Sequence, residues 1–117
     1  MRQRKFIITK DWDGNNIELR IGYPIYHRDL LNNSDHIHIQ HISCYGGGKW
    51  DVDFENKTIK LYGASDDFGK PTKKDVEAAI KNLDIHDWWQ ISHAIEASYD
   101  IEIDEDELST YKFIIEY

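Results

Sequence analysis

Cysteine is all but absent: Cys44 is the only one in 117 residues. An intramolecular disulfide is therefore impossible, and a cysteine-rich zinc site is excluded. No apolar run approaches the length needed to span a bilayer, and the start Met-Arg-Gln-Arg-Lys-Phe lacks a secretory core after its charges. The expectation is a cytoplasmic protein. Neither an internal repeat nor a low-complexity segment is present. Basic residues are missing from a whole region: between Asp84 and Glu107 stand Asp84, Asp87, Glu96, Asp100, Glu102, Asp104, Glu105, Asp106 and Glu107 with no Lys or Arg. Acids are missing from the first ten residues, which carry Arg2, Arg4, Lys5 and Lys10. With a net charge of -8, such a surface disfavours nucleic acid and anionic membranes and speeds encounter with a basic partner. The plain alternative is a solvated acidic face that aids solubility.

What is present suits one folded domain over residues 1–117. Hydrophobic residues make up 40% and aromatics 13%, which argues for a packed globule even with 31% charged residues. Lys5 to Thr9 and Ile17 to Ile21 read as strands separated by the turn signal Asp13-Gly14-Asn15-Asn16, and Pro24 ends the second. Tyr26 to Asn33 predicts a short helix with Leu30 and Leu31 inward, broken by Asn32-Asn33-Ser34-Asp35. His36 to Cys44 predicts another strand, leading into a turn at Gly46, Gly47 and Gly48. Trp50, Val52 and Phe54 alternate with Asp51 and Asp53, and Ile59 and Leu61 with Lys60 and Tyr62, the period of half-buried strands. Glu55-Asn56-Lys57 is the hairpin turn between them. Thr72 with Asp75 is a capping signature, and Val76, Ala79, Ile80 and Leu83 mark one face of the helix that follows. Asp84 to Ser98 predicts a second helix, striped by Ile85, Trp88, Trp89, Ser92, Ala94, Ile95 and Tyr99. Thr110 to Tyr117 predicts a closing strand. The fold class is α+β: a mixed sheet of about five or six strands with two or three helices packed on it.

The stretch from Cys44 to Gly69 resembles the Janus/Ocnus family. That family's pattern is a cysteine, one residue, three glycines and a basic residue, then a hairpin ending in a Tyr-Gly-x-Ser-x-x-aromatic-Gly loop. Cys44, Gly46 to Gly48, Lys49, Ile59, Tyr62, Gly63, Ser65, Phe68 and Gly69 fill those places without a gap. Upstream, Tyr26-His27-Arg28-Asp29 resembles the Tyr-His-x-Asp that carries the family's active histidine, at a shorter distance from the glycines. The resemblance implies a phosphohydrolase that needs no metal and no cofactor and acts on phosphohistidine or a related phosphoramidate. A phosphoryl group would sit on the backbone N–H groups of Ser65, Asp66 and Asp67, which can form an anion-binding concavity. Lys49 would lend a point charge, and Lys5 and Arg20 align more loosely with basic residues of the pocket. His27 would act as general base for water or as nucleophile, its reference pKa near 6.5 suiting proton transfer at neutral pH.

Other residues argue for a different outcome. Asp66 and Asp67 place two carboxylates in the turn that should hold an anion, and a like-charge contact at about 4 Å costs about 1 kcal/mol even in water. Beyond the helix from Thr72 the chain departs from the family, with the Trp pair, the acidic run and a last strand. The alternative function is therefore an inactive binding or inhibitory protein that docks a basic protein through this acidic, Trp-containing region. Partners follow from the two readings: a phosphorylated substrate or other small anion, or a basic protein. The remaining candidates have plainer explanations. His36 and His38 have the H-x-H spacing of a zinc chelate but no evident third ligand, so a polar strand face is preferred. His86 and His93 stand two helical turns apart. Cys44 is expected to be a buried small apolar residue rather than a nucleophile.

Overall fold

The computed structural model describes residues 2–11, 16–32 and 42–117. The turn over Asp13 to Asn15, the breaker over Asn33 to Asp35 and most of the strand expected from His36 lie outside the described residues, and so does the His36–His38 pair. The elements run β1 (Lys5–Asp11), β2 (Ile17–Gly22), α1 (His27–Asn32), β3 (Ile42–Asp53), β4 (Thr58–Tyr62), α2 (Lys73–Lys81), α3 (Ile85–Tyr99), α4 (Glu105–Leu108) and β5 (Lys112–Ile115). The five strands form one sheet in the order β2-β1-β3-β4-β5. The first three pairings are antiparallel and β4 with β5 is parallel. A parallel neighbour cannot be reached by a tight turn, and the connection from β4 to β5 is the long one through α2, α3 and α4. This is the α+β class that the strand and helix signals predict.

One face of the sheet carries the core. Phe6, Ile8, Leu19, Ile21, Trp50, Ile59 and Leu61 pack there against Val76 and Ala79 of α2, Ile91, Ala94 and Ile95 of α3, and Leu108 and Tyr111. The other face bears the alternate residues of the strands, with α1 laid against it. Leu30 of α1 sits where a Cβ on Gly22 would lie, its Cδ2 only 2.4 Å from that position. At about 25 cal/mol per Å² of apolar surface removed from water, the helix-covered face supplies most of the stabilisation. On the α1 face Ile7 is buried beside the His27 ring.

The hairpin over 49–62 forms as expected, with Lys49 opposite Tyr62 and Asp53 opposite Thr58. Its turn is held by the Asp53 carboxylate, which accepts from the Glu55 and Asn56 N–H groups, and Lys57 closes it with φ 54°. The glycines contradict the turn expected for them. Ile42 to Asp53 is a single twelve-residue strand that passes straight through Gly46, Gly47 and Gly48. A bulge takes the place of the turn: Ile7 pairs with Gly47 and Thr9 with Cys44, so Tyr45 and Gly46 together oppose Ile8. Gly46 absorbs the extra residue at φ 128°, a conformation that favours glycine.

The start of α2 follows its capping signal. Thr72 Oγ1 accepts from the Asp75 N–H to open α2. Asp84 and Asp87 form a reciprocal capping box at α3. One detail of α3 differs from the stripe read in the sequence. Ile85 is 76% exposed, because it lies in the first turn before the helix meets the sheet. Trp88 and Trp89 divide: Trp88 packs tilted against Phe113 at 5.9 Å, whereas Trp89 is 49% exposed. The acidic run also contains a helical turn that no apolar period announced, α4, opened by Asp104 accepting from the Asp106 N–H. The last strand is shorter than expected, Lys112–Ile115. Among the described residues no helix is long and apolar enough to cross a membrane.

Candidate functional site

His27 is the first residue of α1, and its neighbours explain why it stands there. The Tyr26 N–H donates to Asp29 Oδ2 at 3.1 Å, and the Asp29 N–H returns to the Tyr26 carbonyl at 3.1 Å. A carboxylate three residues on closes the first turn of the helix, one arm of a capping box. In the Tyr-His-x-Asp motif the aspartate thus fixes the turn that delivers the histidine.

The imidazole lies against β3, where Gly47 makes room for it. A Cβ on Gly47 would come within 3.1 Å of His27 Cδ2 and 2.5 Å of the Phe6 carbonyl. Gly48 is confined from the opposite face, where a Cβ would meet the Tyr62 carbonyl at 2.3 Å and Tyr117 Oη at 2.6 Å. His27 Nε2 is 2.8 Å from the Gly48 carbonyl. A carbonyl only accepts, so Nε2 carries the proton and the lone pair of the neutral ring is on Nδ1. Burial of His27 to 6% exposure holds its pKa below the ordinary histidine value. The Gly48 hydrogen bond opposes that shift, the Lys5 ammonium adds to it, and the carboxylates of Asp67 and Asp66 oppose it. The site is therefore built around a neutral imidazole at neutral pH, with fields of both signs on it.

The loop after β4 is pinned to the same strand. The Gly47 N–H donates to the Gly69 carbonyl at 3.0 Å, and Ser65 and Gly69 exchange backbone hydrogen bonds at 3.2 and 2.9 Å. Gly63 and Gly69 take positive φ, 74° and 77°. Ser65 is buried, and its Oγ accepts from the N–H groups of both Asp67 and Phe68 at 3.2 Å. The amides that converge are those of Asp67 and Phe68, with the Ser65 hydroxyl at their focus, while the Ser65 N–H is taken by the Gly69 carbonyl. An anion seated on the Asp67 amide would have to take the place of that hydroxyl as acceptor. The side chains of Asp66 and Asp67 are exposed, so they turn away from the loop interior while their charge still reaches His27.

The cations sit on different sides of this centre. Lys5 pairs across β1 and β3 with Lys49; its ammonium donates to the Ile25 carbonyl and lies 5.9 Å from the Tyr26 ring centre, beside His27. Lys49 follows Gly48 directly and is exposed. Arg20 is turned to the flank of α1, with Nη1 3.4 Å from the Leu30 carbonyl and Nη2 3.4 Å from Glu18. Cys44 is half-buried, not fully buried as expected, because the bulge beside it opens the strand; burial still pushes its thiol pKa up. Two groups that the sequence did not reveal complete the site. The Gly48 carbonyl is a backbone group without a side-chain signature. Tyr117 reaches back across the sheet, its hydroxyl donating to the Gly63 carbonyl at 2.8 Å.

A model of the Janus/Ocnus family matches residues 23–87. That span runs from before α1 into the first turn of α3, and it includes His27, Lys49 and the loop over 63–69. No curated protein matches the chain. Since the matched span is more than half of the 117 residues, the chain belongs to the Janus/Ocnus family.

Proposed function

We propose that this protein is a phosphohydrolase acting on phosphohistidine or a related phosphoramidate without a metal ion, with His27 as the acting group. The observation that carries this reading is the His27 Nε2–H bond to the Gly48 carbonyl. It fixes the tautomer, and with the pKa lowered by burial it leaves an unprotonated Nδ1 at neutral pH. As general base, Nδ1 takes a proton from water while the water oxygen bonds to phosphorus. The P–N bond breaks with its electron pair on nitrogen, and the imidazolium or solvent returns a proton to that nitrogen. General base catalysis of this kind contributes about 10²- to 10⁴-fold. Lys5 and the amides of the loop around Ser65, Asp66 and Asp67 would offset the charge of the phosphoryl oxygens.

The test is hydrolysis of phosphohistidine and of phosphoramidate by the wild type, His27→Ala and His27→Gln. Loss of activity in both variants, with a wild-type rate unchanged by chelators, supports the reading. A wild type no faster than His27→Ala on both substrates overturns it.

A second reading has its own support in the loop. The Asp67 and Phe68 amides already bond Ser65 Oγ, and Asp66 and Asp67 set negative charge around the place of the anion. A protein that keeps the fold and docks a basic partner would use the region free of Lys and Arg, where Trp89 is exposed between His86, stacked at 6.0 Å, and His93, edge-on at 4.3 Å. Neutralising Asp104, Glu105, Asp106 and Glu107 would then slow association with that partner and flatten its salt dependence. Recovery of the same partners at the same salt by the neutralised variant counts against this reading.

A further inference from the structure

We propose that the cleft beside Lys49 is a second anion site, which receives an acidic side chain of a peptide ligand whose phosphorylated residue lies at His27. A cleft of about 280 Å³ opens between Arg2, Arg4, Tyr23, Lys49, Asp51 and Tyr62. Lys49, Asp51 and Tyr62 stand on the sheet face that holds Gly47 and the His27 ring, because side chains alternate along β3 and Tyr62 pairs with Lys49. The cleft therefore begins one residue beyond the Gly48 carbonyl that anchors His27. A single extended peptide can span both.

The charge inside the cleft decides its preference. Asp51 is fully matched: Arg4 approaches it through Nε at 2.9 Å and Nη2 at 2.8 Å, and the Tyr62 hydroxyl donates to it at 2.6 Å. Tyr62 stays protonated, its pKa pushed up to about 12 by burial and by that carboxylate. Two cations are left over. Arg2 donates to the Tyr23 carbonyl at 3.1 Å and meets no carboxylate among the described residues, and Lys49 has no ion-pair partner among them. A chain of net charge -8 thus holds a cationic hollow next to its histidine. The loop on the other side of His27 carries Asp66 and Asp67 and repels a carboxylate. An acidic residue of the ligand is accepted at the Lys49 end and refused at the loop end, which sets the direction in which the peptide lies.

The identity of the group at His27 rests on the phosphohydrolase reading, whereas the preference of the cleft does not. Isotope-labelled protein is titrated at low salt with three probes: inorganic phosphate, a short capped peptide of two glutamates, and its glutamine counterpart. The glutamate peptide is expected to shift the amide signals of Arg4, Lys49 and Tyr62, and the glutamine peptide to leave them in place. Arg2→Gln and Lys49→Gln should each weaken the glutamate peptide about fivefold, the order of one partly exposed ion pair. Equal shifts from both peptides, or no shift at Lys49 and Tyr62, overturn the cleft site. Phosphate reports separately: shifts at His27 and at residues 65–69 support the phosphoryl site, and their absence counts against it without touching the cleft.

Discussion

At the residue scale the glycines around the site do different work. Gly48 has no room for a side chain, since the Tyr62 carbonyl at 2.3 Å is backbone of the neighbouring strand. Gly69 has open space around it, and only its φ of 77° opposes a Cβ. Gly48→Ala should therefore destabilise the fold by about 3 kcal/mol, as overpacking against backbone does, and Gly69→Ala by about 1 kcal/mol from the left-handed conformation alone. Urea unfolding of the two variants checks the order, and a Gly69→Ala loss equal to that of Gly48→Ala would contradict it. His27 gives a pH prediction. Its folded pKa lies below the unfolded value because burial disfavours the charged ring. The unfolded state then binds the proton more readily, so the stability His27 contributes is fully present above about pH 6.5 and is lost as pH falls toward the folded pKa. An NMR titration should place the His27 midpoint below that of an exposed histidine, and lower still in Asp66→Asn/Asp67→Asn, because those carboxylates favour the imidazolium. A midpoint unmoved or raised in the double variant would show that the two carboxylates do not act on His27.

At the element scale, α3 separates capping from packing. Asp84 and Asp87 bond each other's backbone N–H at 2.9 and 3.1 Å, and Asp84→Ala should cost about 1 kcal/mol. Trp88 packs on Phe113 of β5, so Trp88→Ala should cost about 3 kcal/mol. Trp89→Ala removes a ring that is half in water and should stay within about 1 kcal/mol. Thermal unfolding monitored by circular dichroism ranks the three, and a Trp89 loss as large as that of Trp88 would mean that Trp89 is a core residue. Most of these elements are legible in the sequence because their signals are local. Thr72 and the alternating 50–62 stretch each state an element within a few residues. The strand through the glycines is not legible in this way. Gly46 to Gly48 permit a turn, and what extends them is contact with β1, the 69 end of the loop and His27, all distant in sequence.

For the whole molecule the question is how the charge is placed. The acids of the 84–107 stretch cluster on α3, α4 and the segment between them, partly as helix caps where the dipole favours them. Of the cations of the first ten residues, Lys5 and Lys10 fall on β1, and Arg2 and Arg4 lie just before it. Arg4 pairs with Asp51 and Lys10 with Asp75 at 3.1 Å, while most acids of the 84–107 stretch have no ion pair among the described residues. Net repulsion among them should make the protein more stable as salt rises from low ionic strength to about 0.15 M, where the screening length falls to about 8 Å. A midpoint of urea unfolding that falls over that range would show that attractive pairs dominate.

The sequence alone determined β1, β2, the 49–62 hairpin and the helices α1, α2 and α3, because each rests on periodicity, capping or turn chemistry within a short window. The family resemblance joined His27 to the 63–69 loop. Tertiary structure decided the rest. It made β5 a parallel neighbour of β4, turned the triple glycine into a bulged strand, and placed the Gly48 carbonyl against His27, twenty-one residues away. It also gathered Arg2, Lys49 and Tyr62 around one cleft. Such groupings depend on which residues face one another across a sheet, and a carbonyl looks the same in every sequence.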